Sequence, residues 1–283
     1  MISASIKLLP VRPKLELERK QVWKKMTVAI ASKCTSGVIL CADKNVILSD
    51  GSKTIGRKIY ARDLVHGSVA LASSTSNGIA AESLAIEILD DLADMACDKL
   101  QDIRTVVCQS MQRWQIAYGQ QPPPDVTYLM VACAAGQQEV YVLEPPRNVL
   151  AKHAYAIGSG ARVAQPMLDR ITTDDALYQP KTTLMYLMYM AKHAEKEEAF
   201  VGGGFDALYL PAIGSLQWVD PFDLLFAEEM VFTVDACIDL ARQFLMSLAP
   251  EAGLDTAMEH IQSQILFVAK QLSTQTLFPS LKI

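Results

Sequence analysis

The sequence lacks the apparatus of a metal or disulfide protein. Its six cysteines, at positions 34, 41, 97, 108, 133 and 237, include no C-x-x-C pair, and its four histidines, at 66, 153, 193 and 260, are scattered. Neither set has metal-ligand spacing, so no metal and no cofactor is expected. Most of the cysteines lie inside apolar runs, where a reduced thiol acts as a small hydrophobe, and this points to a cytoplasmic home. Charge of one sign is also scarce. A net charge of −5 over 283 residues gives no general attraction for nucleic acid or an anionic membrane, and neither is expected as a partner. No apolar run approaches the length of a bilayer span. No linker or shift in composition marks separate domains.

What the chain does have is apolar residues, 51% of the total, enough for a large core and for buried subunit interfaces. Residues 1–26 differ from the rest. They are rich in lysine and arginine, with Glu16 and Glu18 as acids and Pro10 breaking the apolar run. That is a poor secretory signal, and a leader, a propeptide or an N-terminal arm all remain open.

From there the pattern reads as strands and helices in blocks. In "TVAIASKCTSGVILCADKN", Val28–Ala31 and Val38–Ala42 flank a polar turn and predict a hairpin. A short strand is expected near Lys58–Tyr60 and another over 67–74. Ile79, Leu84, Ile88, Leu92 and Met95 then recur at helical spacing, and a second helix is expected over about 102–118, stopped by "QQPPPD". Strands resume at 126–134, 139–145 and 152–158, the first two joined by a hairpin at the paired glutamines. Helices follow from "GSG" to about Arg170 and from Lys181 to about Glu198. "FDALYLPAI" and "SLQWVD" read as the last strands. In the tail, Met258, Ile261, Ile265, Val268 and Leu272 form a narrow stripe, as in a helix docked on another helix. Paired helices between antiparallel hairpins predict sheets sandwiched by helix layers, not a doubly wound parallel sheet.

Several residues invite chemistry, and each has a plainer reading. "GSGARVA" follows a strand and opens a helix, as a dinucleotide loop does, but Val163 stands at the third glycine. Asp43 with Lys58 reads equally as a surface ion pair. "ASS" at 72–74 reads as a strand end, and Glu198 as part of a solvated helix face.

Taken together, "TVAIASKCTSGVILCADKN", "KIYA", "VALASSTSNG", "YAIGSGARVAQPMLD" and "AEKEEAFVGGG" resemble, in order and spacing, a proteasome-type subunit of the N-terminal nucleophile hydrolase superfamily. The similarity spans about Thr27 to Ile213. It implies an α+β fold, a four-layer αββα sandwich, with extra C-terminal helices. The domain expected is 27–220, with 221–283 a helical extension packed on it or on an interface. It also implies a peptide or protein substrate and a homo-oligomeric ring, with an ATPase partner left open. Thr27 takes the nucleophile position. A free α-amine there titrates near working pH and serves as its own base, so no catalytic histidine is needed.

By the same resemblance, Asp43 and Lys58 are the acid–lysine pair beneath the nucleophile, with Lys58 one residue early. Ser159 matches the serine that hydrogen-bonds the N-terminus, and Glu198 stands where the family has aspartate. Ser73 falls where a backbone N–H stabilises the oxyanion, and Leu71 just before it suggests an apolar substrate pocket. Val201 replaces a serine. Met26, in place of the usual glycine, leaves three routes: translation from Met26 with its removal, self-cleavage, or no cleavage and a non-catalytic ring subunit.

Overall fold

The computed structural model describes residues 27–47, 52–75, 77–95, 97–118, 125–144, 147–151, 153–172 and 177–246. Residues 1–26 and the apolar stripe from Met258 to Leu272 lie outside the described residues.

Two five-stranded antiparallel sheets organise the chain. The first contains β1 (Ala29–Cys34), β2 (Gly37–Asp43), β10 (Ala154–Ile157), β11 (Phe205–Pro211) and β12 (Gln217–Trp218), in the order β10-β1-β2-β11-β12. The second contains β5 (Ile59–Leu64), β6 (Gly67–Thr75), β7 (Val126–Ala134), β8 (Gln137–Glu144) and β9 (Arg147–Ala151), in that order. A small ribbon pairs β3 (Asn45–Ile47) with β4 (Lys53–Ile55). The helices are α1 (Gly78–Asp94), α2 (Leu100–Tyr118), α3 (Ala161–Ile171), α4 (Pro180–Glu197) and α5 (Pro221–Met246).

Strand alternation sends side chains to two different cores. On β6, Val69 and Leu71 pack with Leu84, Ile88 and Leu92 of α1 and with Ile103 and Val107 of α2. Their neighbours Ala70 and Ala72 face Ala29, Ala31 and Ala42 of the first sheet. A third cluster joins Ile30, Ile39 and Tyr209 of the first sheet to Leu184, Leu187 and Ala191 of α4 and to Leu224, Ala227 and Val231 of α5. Each fully buried aliphatic side chain contributes about 1.5–3 kcal/mol relative to exposure.

Local chemistry sets the ends. The Asn77 side chain accepts from the Ala80 N–H at 3.1 Å and caps α1. Pro180 opens α4, where its missing N–H is not needed. The β7–β8 turn is not at the paired glutamines. It is Ala135–Gly136, both with positive φ (51° and 74°), the geometry of a tight turn matched to strand twist, while Gln137 and Gln138 belong to β8. Three elements had no sequence counterpart: β4, β9 and the three-residue β3. β4 is wholly exposed and β9 follows two prolines, so neither carries an apolar alternation that periodicity detects.

α5 packs on α4 through polar contacts as well as apolar ones. Besides its core residues, Lys192 of α4 pairs with Glu228 at 3.4 Å, and His193 and Lys196 both reach Asp235. A chain truncated after residue 220 exposes the α4 face that α5 covers. Its expected behaviour is aggregation, with a thermal midpoint at least about 10 °C below that of the full chain. Size-exclusion chromatography and a melting curve check this, and an equally soluble truncated chain refutes it.

Candidate active site

The site forms where the two sheets meet at one end. Thr27 stands just before β1, and Asp43 closes β2, so the β1–β2 register, with Ala29 opposite Ala42, brings them together. Lys58 precedes β5 and approaches from the other sheet. All three are buried, with 2%, 1% and 8% of their surface exposed.

Their contacts form a closed triangle. Thr27 Oγ1–H donates to Asp43 Oδ1 at 2.5 Å. Lys58 Nζ donates to Thr27 Oγ1 at 2.7 Å and to Asp43 Oδ1 at 2.8 Å. Asp43 is held further by backbone, its Oδ1 accepting from the Val28 N–H at 2.9 Å and its Oδ2 from the Gly202 N–H at 3.2 Å. Burial is the largest influence on Lys58 and lowers its pKa. The charge and hydrogen bond of Asp43 push back upward without restoring the ordinary lysine value. The triangle therefore fixes the Thr27 hydroxyl between a carboxylate that accepts its proton in a hydrogen bond and an ammonium that stabilises negative charge on its oxygen.

Two glycine loops hold these atoms in place. Gly160 N–H donates to the Thr27 carbonyl at 3.0 Å, and a Cβ on Gly158 (φ 90°) would sit 2.2 Å from that same carbonyl oxygen. Only glycine fits there. Between them Ser159 carries a buried hydroxyl with no hydrogen-bond partner. The second loop is the run 202–204, all with positive φ. Besides holding Asp43, Gly202 offers its carbonyl to the N–H groups of Lys44 and Asn45 at 3.1 and 2.9 Å. The sequence showed the glycine run, but its role as a clamp on Asp43 became visible only with the fold. Val201 before it is buried in the helix-side core of the first sheet.

An open cleft adjoins the triangle. Thr27, Lys58 and Ser73 reach it, and its walls include Asn45, Val46, Ile47, Arg57, Tyr60 and Thr75. Sequence reasoning did not single out these six. Their signal was only proximity in the chain to Asp43, Lys58 and Ser73.

Three expected roles are redrawn. Leu71 does not line the cleft. It is fully buried against α1 and α2, because β6 alternates and residue 71 faces the helices. Ser73 does stand at the cleft, but its backbone N–H donates to the Lys58 carbonyl at 3.1 Å, continuing the β5–β6 ladder, so that N–H is already committed. Glu198 ends α4, and its carboxylate accepts from Arg162 Nε on α3. Among the described residues no group of histidines, cysteines and acids is arranged to hold a metal ion.

No family model matches the chain, and no curated protein sequence does. Solved structures do. "Anbu (ancestral beta-subunit)" from Yersinia bercovieri aligns with TM-score 0.62 at 12% identity, covering 80% of this chain and 99% of that one. The "Helical Assembly of the Anbu Complex" from Pseudomonas aeruginosa aligns with TM-score 0.63, also at 12% identity and with the same coverage. Anbu from Hyphomicrobium sp. strain MC1 gives 0.59 at 14% identity, over 79% and 99%. At such identities the likeness is one of fold: this chain shares the α+β fold of the Anbu structures.

Proposed function

We propose that this chain is an N-terminal-threonine hydrolase of peptide or amide bonds, built as a four-layer αββα sandwich. The observation that carries the reading is the triangle of Thr27, Asp43 and Lys58 opening on a cleft. The three core clusters, one between the sheets and one on each helix-covered face, support the layering.

In the proposed reaction, residues 1–26 are removed and the α-amine of Thr27 takes the hydroxyl proton as Oγ attacks a carbonyl carbon. Lys58, held by Asp43, lowers the amine's pKa by its charge and stabilises the developing negative oxygen. The unpartnered Ser159 hydroxyl, one residue from the two glycines against Thr27, orients the new N-terminus. With the Ser73 N–H committed, the hydroxyl of Ser73 takes the part of oxyanion donor. The α-ammonium then gives that proton to the departing amine as the C–N bond breaks, which leaves an ester on Thr27; water cleaves the ester, releasing the acid and restoring the hydroxyl.

Assembly and setting belong to the same proposal. The helical assembly named for the Pseudomonas aeruginosa neighbour supports an oligomer for this chain too, and exposed Ile79, Ile213 and Phe222 support subunit contacts. Among the described residues no helix is long and apolar enough to cross a membrane; the cytoplasmic setting proposed rests on the cysteines, all present as thiols and mostly buried.

A second reading, a non-catalytic ring subunit, draws on two observations. Val201 offers no hydroxyl, and Glu198 is engaged by Arg162. One experiment separates the two readings: intact mass with N-terminal sequencing of protein expressed from Met1 and from Met26. The hydrolase reading expects chains that begin at Thr27. If every chain keeps Met26 or the leader, the amine is an amide, the base is gone, and the second reading stands.

A further inference from the structure

Arg57 stands out among the cleft residues by its charge. It lines both the Thr27 cleft and an adjoining concavity that includes Lys44, Asp206 and Trp218. Three cations reach these two spaces, and two are neutralised locally. Lys58 pairs with Asp43 at 2.8 Å, and Lys44 with Asp206 at 2.8 Å. Among the described residues Arg57 has no carboxylate partner, and the cleft wall they form contains no aspartate or glutamate. Glu82 acts on Tyr60 through space but is not part of that wall.

Arg57 is nevertheless held in position. Its Nε–H donates to the Ile59 carbonyl at 2.8 Å, and its guanidinium lies 5.2 Å from the Trp218 ring centre. The Tyr60 hydroxyl donates to its carbonyl at 3.3 Å. With Nε committed and one face on the indole, the terminal N–H groups are what remains for a ligand. A planar, pre-oriented guanidinium with free terminal donors is the partner that best fits a carboxylate. Lys58, the next residue, touches the Thr27 hydroxyl itself, which places Arg57 next to the reacting centre in the chain.

We propose that Arg57 makes this cleft selective for substrates with an acidic side chain, aspartate or glutamate, beside the bond to be cut. The inference rests on the hydrolase reading for its chemistry, but the charge preference is a property of binding and is testable without turnover.

Two measurements test it. The first uses the Thr27→Ala chain and the peptides acetyl-Ala-Ala-Glu-amide and acetyl-Ala-Ala-Gln-amide, which differ in charge and hardly in size. Calorimetric titration is expected to show the Glu peptide about tenfold tighter, a preference that Arg57→Gln removes and that weakens as salt rises. The second uses the full chain and the same pair as aminomethylcoumarin amides. Here kcat/KM is expected to favour Glu by a similar factor, again only with Arg57 present. Cleavage without preference for Glu, or with a preference that Arg57→Gln leaves intact, overturns the inference and leaves the hydrolase reading standing. Charge-selective binding without any cleavage supports the inference and defeats the hydrolase reading. Equal binding of the two peptides overturns the inference whatever the activity.

Discussion

Thr27→Ala is expected to abolish hydrolysis of small peptide or amide reporters, by at least about 10³-fold in kcat/KM, while leaving the fold intact. The asymmetry follows from the contacts. The hydroxyl is the reacting group, so nothing else in the cleft takes over its bond-forming role. Structurally it is the least needed corner of the triangle. Without it, Lys58 and Asp43 still pair at 2.8 Å, and Asp43 keeps the Val28 and Gly202 N–H donors. The expected stability cost is about 1 kcal/mol, the scale of one net hydrogen bond. Thr27→Ser keeps the hydroxyl and should retain measurable turnover. Reporter assays alongside circular dichroism check both halves, and unchanged activity in Thr27→Ala rules out the mechanism.

The second large effect is on stability, at Asp43. Four donors converge on its carboxylate: the Thr27 hydroxyl, the Lys58 ammonium and the N–H groups of Val28 and Gly202. Asp43→Ala takes the carboxylate from all of them and leaves Lys58 with only the neutral Thr27 hydroxyl as acceptor. A buried ammonium stripped of its counter-charge alone costs about 3–5 kcal/mol. That is a large share of the ~5–15 kcal/mol by which domains are stable, so the melting temperature should fall sharply. The double variant Asp43→Ala/Lys58→Met should recover part of the loss, because the unpaired charge leaves with Lys58. A double variant as unstable as the single one contradicts this account.

Lys58 also gives the stability a direction in pH. Its folded pKa lies below the ordinary lysine value, so between the two the unfolded chain holds a proton that the folded chain has released. Stability where the unfolded state binds more protons rises with pH. The contribution of Lys58 is therefore least favourable below its folded pKa and grows as pH climbs through that window towards about 10.4.

Much of this was legible in the chain, and particular residues show why. Thr27, Asp43 and Lys58 were singled out through the family resemblance, at intervals that fall on a hairpin and one loop, and the hairpin is written in the alternation of residues 28–42. The cleft was not legible to the same degree. Leu71 and Ser73 share a face of β6, yet one is packed beneath α1 and α2 while the other reaches the cleft, a distinction made by where the helices end. The Ser73 N–H was assigned to an oxyanion because pattern alone does not reveal that β5 claims it. Glu198 was drawn away by Arg162, 36 positions earlier, a partner that no local spacing announces. The β3–β4 ribbon escaped notice because each strand is only three residues long, too short for an alternation to show, and β4 is exposed throughout, although β3 forms part of the cleft wall.

The triangle draws two of its corners, Thr27 and Asp43, from one sheet and the third, Lys58, from the edge of the other. Between the sheets at this end, beside Ile59, Leu129 and Ile157, lie five alanines: 29, 31 and 42 facing 70 and 72. Their small side chains let two backbones approach closely enough for a lysine to reach across. The reacting atoms thus behave as a clasp that shuts only when both halves of the molecule are in register. A slip of one sheet by a fraction of a residue spacing opens the clasp long before either sheet comes apart.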